Sequence, residues 1–441
     1  MSLIANDGVV LQRRTADTTA DTTATATRTR LFPWLVFLLT FGLLLSDYMS
    51  RQVLSSVFAY LKVEWGLTDT RLGALTSVVS LTVGLLAVPL SLLGDRWGRS
   101  RAIVAMAALW SLATLGSAVA GGYGEMLLSR FLVGVGEAAY GSVGLAVVLM
   151  VFAPAKRATL SGAFMAAGSF GSVVGVFVGG ILAVHLGWRW SFGVMAIIGF
   201  VLVVLYRLLV SDAALARHEH AGNVEEHRAA RAGRAPLRTL VSTPSVISAY
   251  VGSGLQLFVA GSLFAWLPSF FNRSYGLRPD KAGIAAAGFI LLMAVGMVVT
   301  GIVTDRVAHD RAQLKWATGI GYAAASLALL ATGFAQDPGA TQLVLLAAGA
   351  FFAAGTTGAT TAMVAHLTHP SIRATAFGTL TLANNLLGLA AGPIVTGILA
   401  DHLGLTGAMR LVPWISVAAI VALVIGRQTY ASSLRRVTEA A

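Results

Sequence analysis

Gly94-Asp95-Arg96-Trp97-Gly98-Arg99-Ser100-Arg101 is a charged stretch between two long apolar runs, and its acidic–basic pair returns as Asp305-Arg306. A tight turn between helices favours glycine, here Gly98. The arginines favour the cytoplasmic side of a membrane. Asp95 suits a place facing a helix N-terminus, where the dipole and unbonded N–H groups favour an anion. The plain reading is a loop that only sets topology, but three further echoes argue against it. Trp65-Gly-Leu-Thr-Asp69-Thr-Arg-Leu-Gly73 returns as Tyr275-Gly-Leu-Arg-Pro-Asp280-Lys-Ala-Gly283. Pro154-Ala-Lys-Arg157-Ala-Thr159 returns as Pro370-Ser-Ile-Arg373-Ala-Thr375, and Gly180-Ile-Leu-Ala-Val-His-Leu-Gly187 as Gly397-Ile-Leu-Ala-Asp-His-Leu-Gly404. The offsets stay between 210 and 217, an ordered series that one chance match would not produce. Two parallel repeats about an axis along the membrane normal are a transporter architecture, with the site at their interface near the midplane.

The composition agrees. The 441 residues are 56% hydrophobic and 11% charged, with mean hydropathy +0.77; soluble domains are about 25% charged. The chain reads as an all-α integral membrane protein with twelve transmembrane helices in two pseudo-symmetric six-helix bundles. The spans fall near 32–61, 70–92, 102–120, 124–152, 157–185, 189–210, 245–271, 281–304, 314–335, 340–367, 372–401 and 407–427. This divides the chain into a tail (1–30), an N-terminal bundle (31–210), a cytoplasmic linker (211–244), a C-terminal bundle (245–430) and a second tail (431–441). The first tail is polar, rich in Thr, Ala and Asp, and expected to be disordered. The first apolar run is far longer than a signal h-region, so no cleavable signal peptide is expected.

Net charge is +12. With the N-terminus inside, cytoplasmic segments hold 22 of the 31 Lys and Arg, and the outer loops hold seven: Lys62, Arg71, Arg189, Arg273, Arg278, Lys281 and Arg410. That bias predicts both termini in the cytoplasm and a cytoplasmic (inner or plasma) membrane as the location. Nucleic acid is a poor partner, since the arginines flank apolar runs instead of forming a basic domain. The absence of cysteine excludes disulfides. No nucleotide loop, His/Cys metal spacing or nucleophile motif is present, so an enzyme and a cofactor are not expected and energy must come from a gradient.

Ser129-Arg130-Phe-Leu-Val-Gly134-Val-Gly136-Glu137-Ala138 places two charges inside the fourth apolar run. A charge at that depth costs several kcal/mol unless it is paired or faces a wet cavity. Seven helical steps turn about 700°, so Arg130 and Glu137 share a face. The bland alternative is a buried pair that fixes packing alone. Asp47 and Arg51 form a similar pair on span one. Burial and a nearby arginine act on a carboxylate in opposite directions, so spacing does not settle its charge. Arginine does not release its proton at working pH. Asp47 is therefore expected as the main proton carrier, competing with cargo for Arg130, and Glu137 as its partner or a second carrier. Tyr48, Tyr140 and the mid-span amides Gln256, Asn384 and Asn385 are candidates to line the cavity, or to bond between helices. Phe258, Phe264 and Trp266 read as packing residues, and His185, His366, His369 and His402 as interfacial ones.

The charged loop resembles the major facilitator signature G-x-x-x-D-R-x-G-R-R, with Ser91 for the first glycine and Ser100 for one basic position. The resemblance implies alternating access between two bundles. The paired loops make Asp95, Arg96, Arg99, Arg157, Asp305, Arg306 and Arg373 expected gating residues, with Asp95 near Arg373 and Asp305 near Arg157 when the inner side is closed. Asp47-Tyr48-Met49-Ser50-Arg51 and Arg130-x-x-x-Gly134-x-Gly136-Glu137-Ala138 are most similar to the Spinster-type branch. That branch often reads N-Y-x-D-R on span one; here Ser50 replaces the aspartate and Asp47 lies three residues earlier. The branch implies a proton-coupled carrier, here a monomer in the bilayer, of an amphipathic anionic or zwitterionic cargo such as a lysophospholipid. The alternatives are a drug exporter, a carrier of small organic or sugar-phosphate anions, or a sensor or uncoupled channel on the same scaffold.

Overall fold

A computed structural model describes residues 5–153, 156–218, 243–308, 313–368 and 372–439, with side chains from Leu31 onward except at Asp95, Ala158, Arg373, Ala374 and 437–439. All regular elements among the described residues are helical. Eleven helical stretches are long and apolar enough to cross a bilayer. The last, Thr375–Arg436, holds 62 residues, about three times what one crossing needs. It folds back at Gly404, whose φ of 70° and ψ of 159° end one helix and start the next. That makes twelve spans.

The turns repeat as the sequence does. Gly66 and Gly276 have φ of 60° and 63°, and Gly187 and Gly404 have φ of 90° and 70°. Each pair joins equivalent spans of the two halves, and left-handed φ is where a side chain costs most. The first helix differs from expectation. It runs from Ala5 to Trp65, so the polar segment expected as a disordered tail continues the helix. Adding residues to an existing helix gains a hydrogen bond each without a new nucleus.

Three spans are interrupted where uninterrupted helices were expected. Span four is Tyr123–Glu137 and then Tyr140–Val151. Span ten breaks at the equivalent place, Ala340–Ala353 and then Thr356–His366. Span eleven carries a π turn, Asn384–Ala390, between Arg373–Ala383 and Ala391 onward. The repeat offset is 216 before this turn (Pro154 to Pro370) and 217 after it (Gly180 to Gly397). Span eleven therefore holds one residue more than span five. A π turn, closed by i→i+5 bonds, takes up that residue without rotating the rest of the helix.

The halves meet along two seams at the predicted outer end. Span two packs on span eleven, where Gly73 lies against the Pro393 carbonyl and Gly397 against that of Asp69. Span five packs on span eight, where a Cβ on Gly180 or Gly283 would stand 3.0 Å from the Pro279 or Val176 carbonyl. Between the seams, buried Trp266 of span seven packs at a tilt against Phe58 of span one, ring centres 5.2 Å apart, and donates to the Pro393 carbonyl at 3.0 Å. Trp266 is thus a packing residue, as expected.

At the opposite end the charged loop is bound by the start of the linker. Gly98 has φ 95° and ψ 130°, and a Cβ there would lie 2.8 Å from an Asp212 carboxylate oxygen. The Ser100 N–H donates to Asp212 Oδ1 at 2.8 Å, and the Ser100 hydroxyl to the Val210 carbonyl at 2.8 Å. The start of span three is thus capped from the residues after span six. Gly98→Ala is expected to cost about 1–3 kcal/mol of stability, seen as a lower Tm in detergent, while Gly288→Ala, with open space around it, leaves Tm unchanged.

Candidate functional site

Span one presents Asp47 and Arg51 four residues apart, hence on one face, and span four presents Glu137 as the last residue before its break. Arg51 Nη1 lies 3.5 Å from Glu137 Oε2, and Arg51 Nη2 donates to the Ser80 hydroxyl of span two. The Asp47 carboxyl lies against that of Glu137. Asp47 Oδ1 and Glu137 Oε1 have no donor among the described residues. The Arg51 side chain keeps 15% of its surface exposed and that of Glu137 3%. The site is therefore two carboxyls with one cation, reachable from the arginine side. One proton held between the carboxyls would supply the missing donor.

Among the described residues Arg130 makes no ion pair with Glu137, contrary to expectation, although its charge acts on that carboxyl from a distance. Arg130 is fully buried. Nη1 donates to the Ser50 carbonyl at 3.2 Å, Nη2 to the Ser117 hydroxyl at 2.8 Å, and the guanidinium sits 4.8 Å from the Phe192 ring centre. Seven helical steps return to the same face but climb about 10.5 Å, too far for a pair with Glu137. Arg130 joins spans one, three, four and six, and Arg51 takes its expected role beside the carboxyls.

The remaining candidates separate in the same way. Tyr140 is sealed inside the N-half, its hydroxyl donating to the Thr40 carbonyl at 2.8 Å and its ring edge-on to Trp110 at 4.9 Å. Tyr48 is half-buried, facing Gly168 of span five. Gln256 is buried and donates to the Ala353 carbonyl at 3.2 Å, at the break in span ten; its Oε1 has no partner among the described residues. Asn384 Oδ1 also lacks one. Asn385 donates to the Thr381 carbonyl at 3.0 Å and packs against Gly84 of span two.

At the predicted cytoplasmic end, the side chains of Asp95 and Arg373, and His369, lie outside the described residues. Asp305 and Arg306 are exposed, and Asp305 makes no ion pair among the described residues. Arg96 is exposed, Arg157 is half-buried, and Arg99 Nη1 lies 3.3 Å from Met150 Sδ. The polar contacts at the other end were not expected from the sequence. Buried Asp69 receives both Nη groups of Arg273 at 2.7 and 2.8 Å and Lys62 Nζ at 2.7 Å. Arg273 comes from the other half. The repeat of Asp69 as Asp280 was the signal, but among the described residues Asp280 pairs with Arg278 alone, at 3.6 Å.

The sequence comparisons fit this geometry. A Major Facilitator Superfamily profile matches residues 40–339 and 270–439. The chain belongs to that superfamily: it is an integral membrane secondary transporter and not an enzyme. Within the superfamily its similarity runs to spinster proteins. It is 27% identical over 383 residues to protein spinster homolog 1 of Homo sapiens, across 81% of this chain and 71% of that one. To a probable L-galactonate transporter of Escherichia coli (strain K12) it is 29% identical over 276 residues, across 61% and 60% of the two chains. The solved structure of a bacterial homologue of the human lysosomal transporter Spinster, inward-facing and occupied, superposes with TM-score 0.77 at 19% identity, over 91% of this chain and 98% of that one. A D-xylose–proton symporter gives 0.70 at 16% identity, over 88% and 97%. These two likenesses show the fold.

Arg130→Ala should lower stability by about 2–4 kcal/mol, through lost packing and charge-assisted bonds. Arg51→Ala, at a partly open site, should lower it less. Thermal unfolding in one detergent, followed by tryptophan fluorescence, compares the two.

Proposed function

We propose that the chain is a proton-coupled, alternating-access carrier of an amphipathic anionic or zwitterionic molecule such as a lysophospholipid, with both termini on the cytoplasmic side of the inner or plasma membrane. The supporting observation is the Asp47–Glu137 carboxyl pair beside partly exposed Arg51. With both carboxyls ionised, Arg51 is held by Glu137. A proton taken up between them weakens that hold and leaves Arg51 able to bind an anionic head. With a zwitterionic head the loaded, singly protonated site carries no net charge through the apolar seam, whereas an anionic head needs both carboxyls protonated. The C-half contributes Gln256 and Asn384 and no mid-span cation, which suits one charged head with an apolar tail. The Asp95–Arg373 and Asp305–Arg157 contacts belong to the inward-closed form, and the exposed Asp305 agrees with that cytoplasmic corner being apart here.

The likeness to the galactonate transporter favours a second reading, a small organic anion on Arg51. Proteoliposome flux separates them. Asp47→Asn is expected to abolish transport driven by a pH gradient while cargo binding survives; Arg51→Ala is expected to lose binding. Affinity for lysolipids should rise with acyl length by up to ~0.8 kcal/mol for each buried methylene. Affinity independent of chain length, with tight binding of a sugar acid, would favour the second reading. Normal pH-driven flux in Asp47→Asn would remove the coupling role.

A further inference from the structure

Span two starts at Asp69. The first N–H groups of a helix have no partner within it. Arg71 N donates to Thr68 Oγ1 at 3.3 Å, and Leu72 N is the first to reach back into the chain, to the Thr68 carbonyl at 3.2 Å. The two remaining amides are met by the other half of the protein. Asp69 N donates to Asp401 Oδ1 at 2.7 Å and Thr70 N to Asp401 Oδ2 at 3.0 Å, and the Thr70 hydroxyl adds a third bond to Oδ2 at 2.6 Å. Asp401 stands near the end of span eleven, one turn beyond Gly397, where the two backbones touch.

Among the described residues the other seam has no such contact. The repeat places Val184 where Asp401 stands. Span eight opens with Pro279, which has no N–H to satisfy. That corner closes by backbone approach at Gly180 and Gly283. The two corners of one end are thus held by different physics.

We propose that Asp401 is a gating residue of the transport cycle: its carboxylate caps span two across the seam between the halves and so favours the form in which this end is closed. Span two has a complete cap only while the halves touch here. Parting them breaks three bonds to one carboxylate in a single movement, and water must take over two helix amides and a hydroxyl. The Arg273–Asp69 pair crosses the same seam, but two flexible side chains can stretch before they separate. Amides at a helix start cannot follow their acceptor. This contact therefore sets how far the corner can loosen before it opens. That this end faces outward rests on the orientation proposed above; its opening is measurable whichever side it faces.

The chain has no cysteine, so spin labels at Val63→Cys and Leu411→Cys, exposed at this end on opposite halves, report the opening alone. Double electron–electron resonance on the full chain in lipid nanodiscs is the test. Asp401→Asn keeps the shape but turns an NH₂ toward one of the donors. It should raise the long-distance population about tenfold, the scale of one lost charge-assisted bond. Thr70→Val removes the hydroxyl bond alone and should give a smaller rise. Neither variant should lower Tm by more than a few degrees, which separates a gate from a fold-wide support. Wild-type distances in both variants would overturn the proposal. If Asp401→Asn does not fold, Thr70→Val decides: unchanged distances overturn it, and a rise supports it.

Discussion

A charge inside an apolar body must find its partner within a few ångströms, because the surroundings provide no water to replace one. The N-half contains two arginines at membrane depth and meets this constraint twice, with opposite consequences. Arg130 is fully buried: two of its nitrogens bond to a carbonyl and a hydroxyl, its face lies on an aromatic ring, and Nε has no acceptor among the described residues. That arrangement ties four spans together and leaves no exposed surface. Arg51 is held by one carboxylate oxygen and one hydroxyl and stays partly exposed, next to a second carboxyl that lacks a donor. That arrangement is incomplete, so a proton or a ligand can change it. The difference between the two lies in how far each guanidinium is open to a newcomer.

The C-half repeats the scaffold and omits the charges. Glu137 ends the first part of span four; Ala353 ends the first part of span ten, and its carbonyl takes an amide from Gln256. The break persists while its chemistry changes from ionic to neutral. A neutral half can slide against a charged one without a second cation competing for the same carboxyls. The predicted outer end shows the same division of labour, with a carboxylate at one corner and bare backbone contact at the other.

The fold was legible because repetition and long apolar runs both survive in a single sequence. Gly66, Gly187, Gly276 and Gly404 recur where the backbone needs left-handed φ, so the turns could be read directly. The break in span four was not legible, since Ala138 and Ala139 favour helix locally, and Gly355 at the break in span ten is one glycine among many in the apolar runs. Helical spacing showed which face Arg130 and Glu137 share but not that their heights differ by two turns. The Arg51–Glu137 and Asp401–Asp69 contacts join residues 86 and 332 positions apart, and no local pattern reports a partner on another helix. Asp401 was visible only as the single acidic departure from an otherwise matching repeat.

The π turn at Asn384–Ala390 preserves a trace of how the two halves came to differ. A duplicated chain begins with equal counts, and here spans five and eleven differ by one codon, gained in one copy or lost from the other. In an unbroken α-helix that codon would have swung everything beyond it through about 100°, turning Gly397 and Asp401 away from span two. Because the helix absorbed the change within one turn, the seam survived it. A residue swap between spans five and eleven must therefore count 216 before Asn384 and 217 after Ala390, or it will place the right side chain on the wrong face.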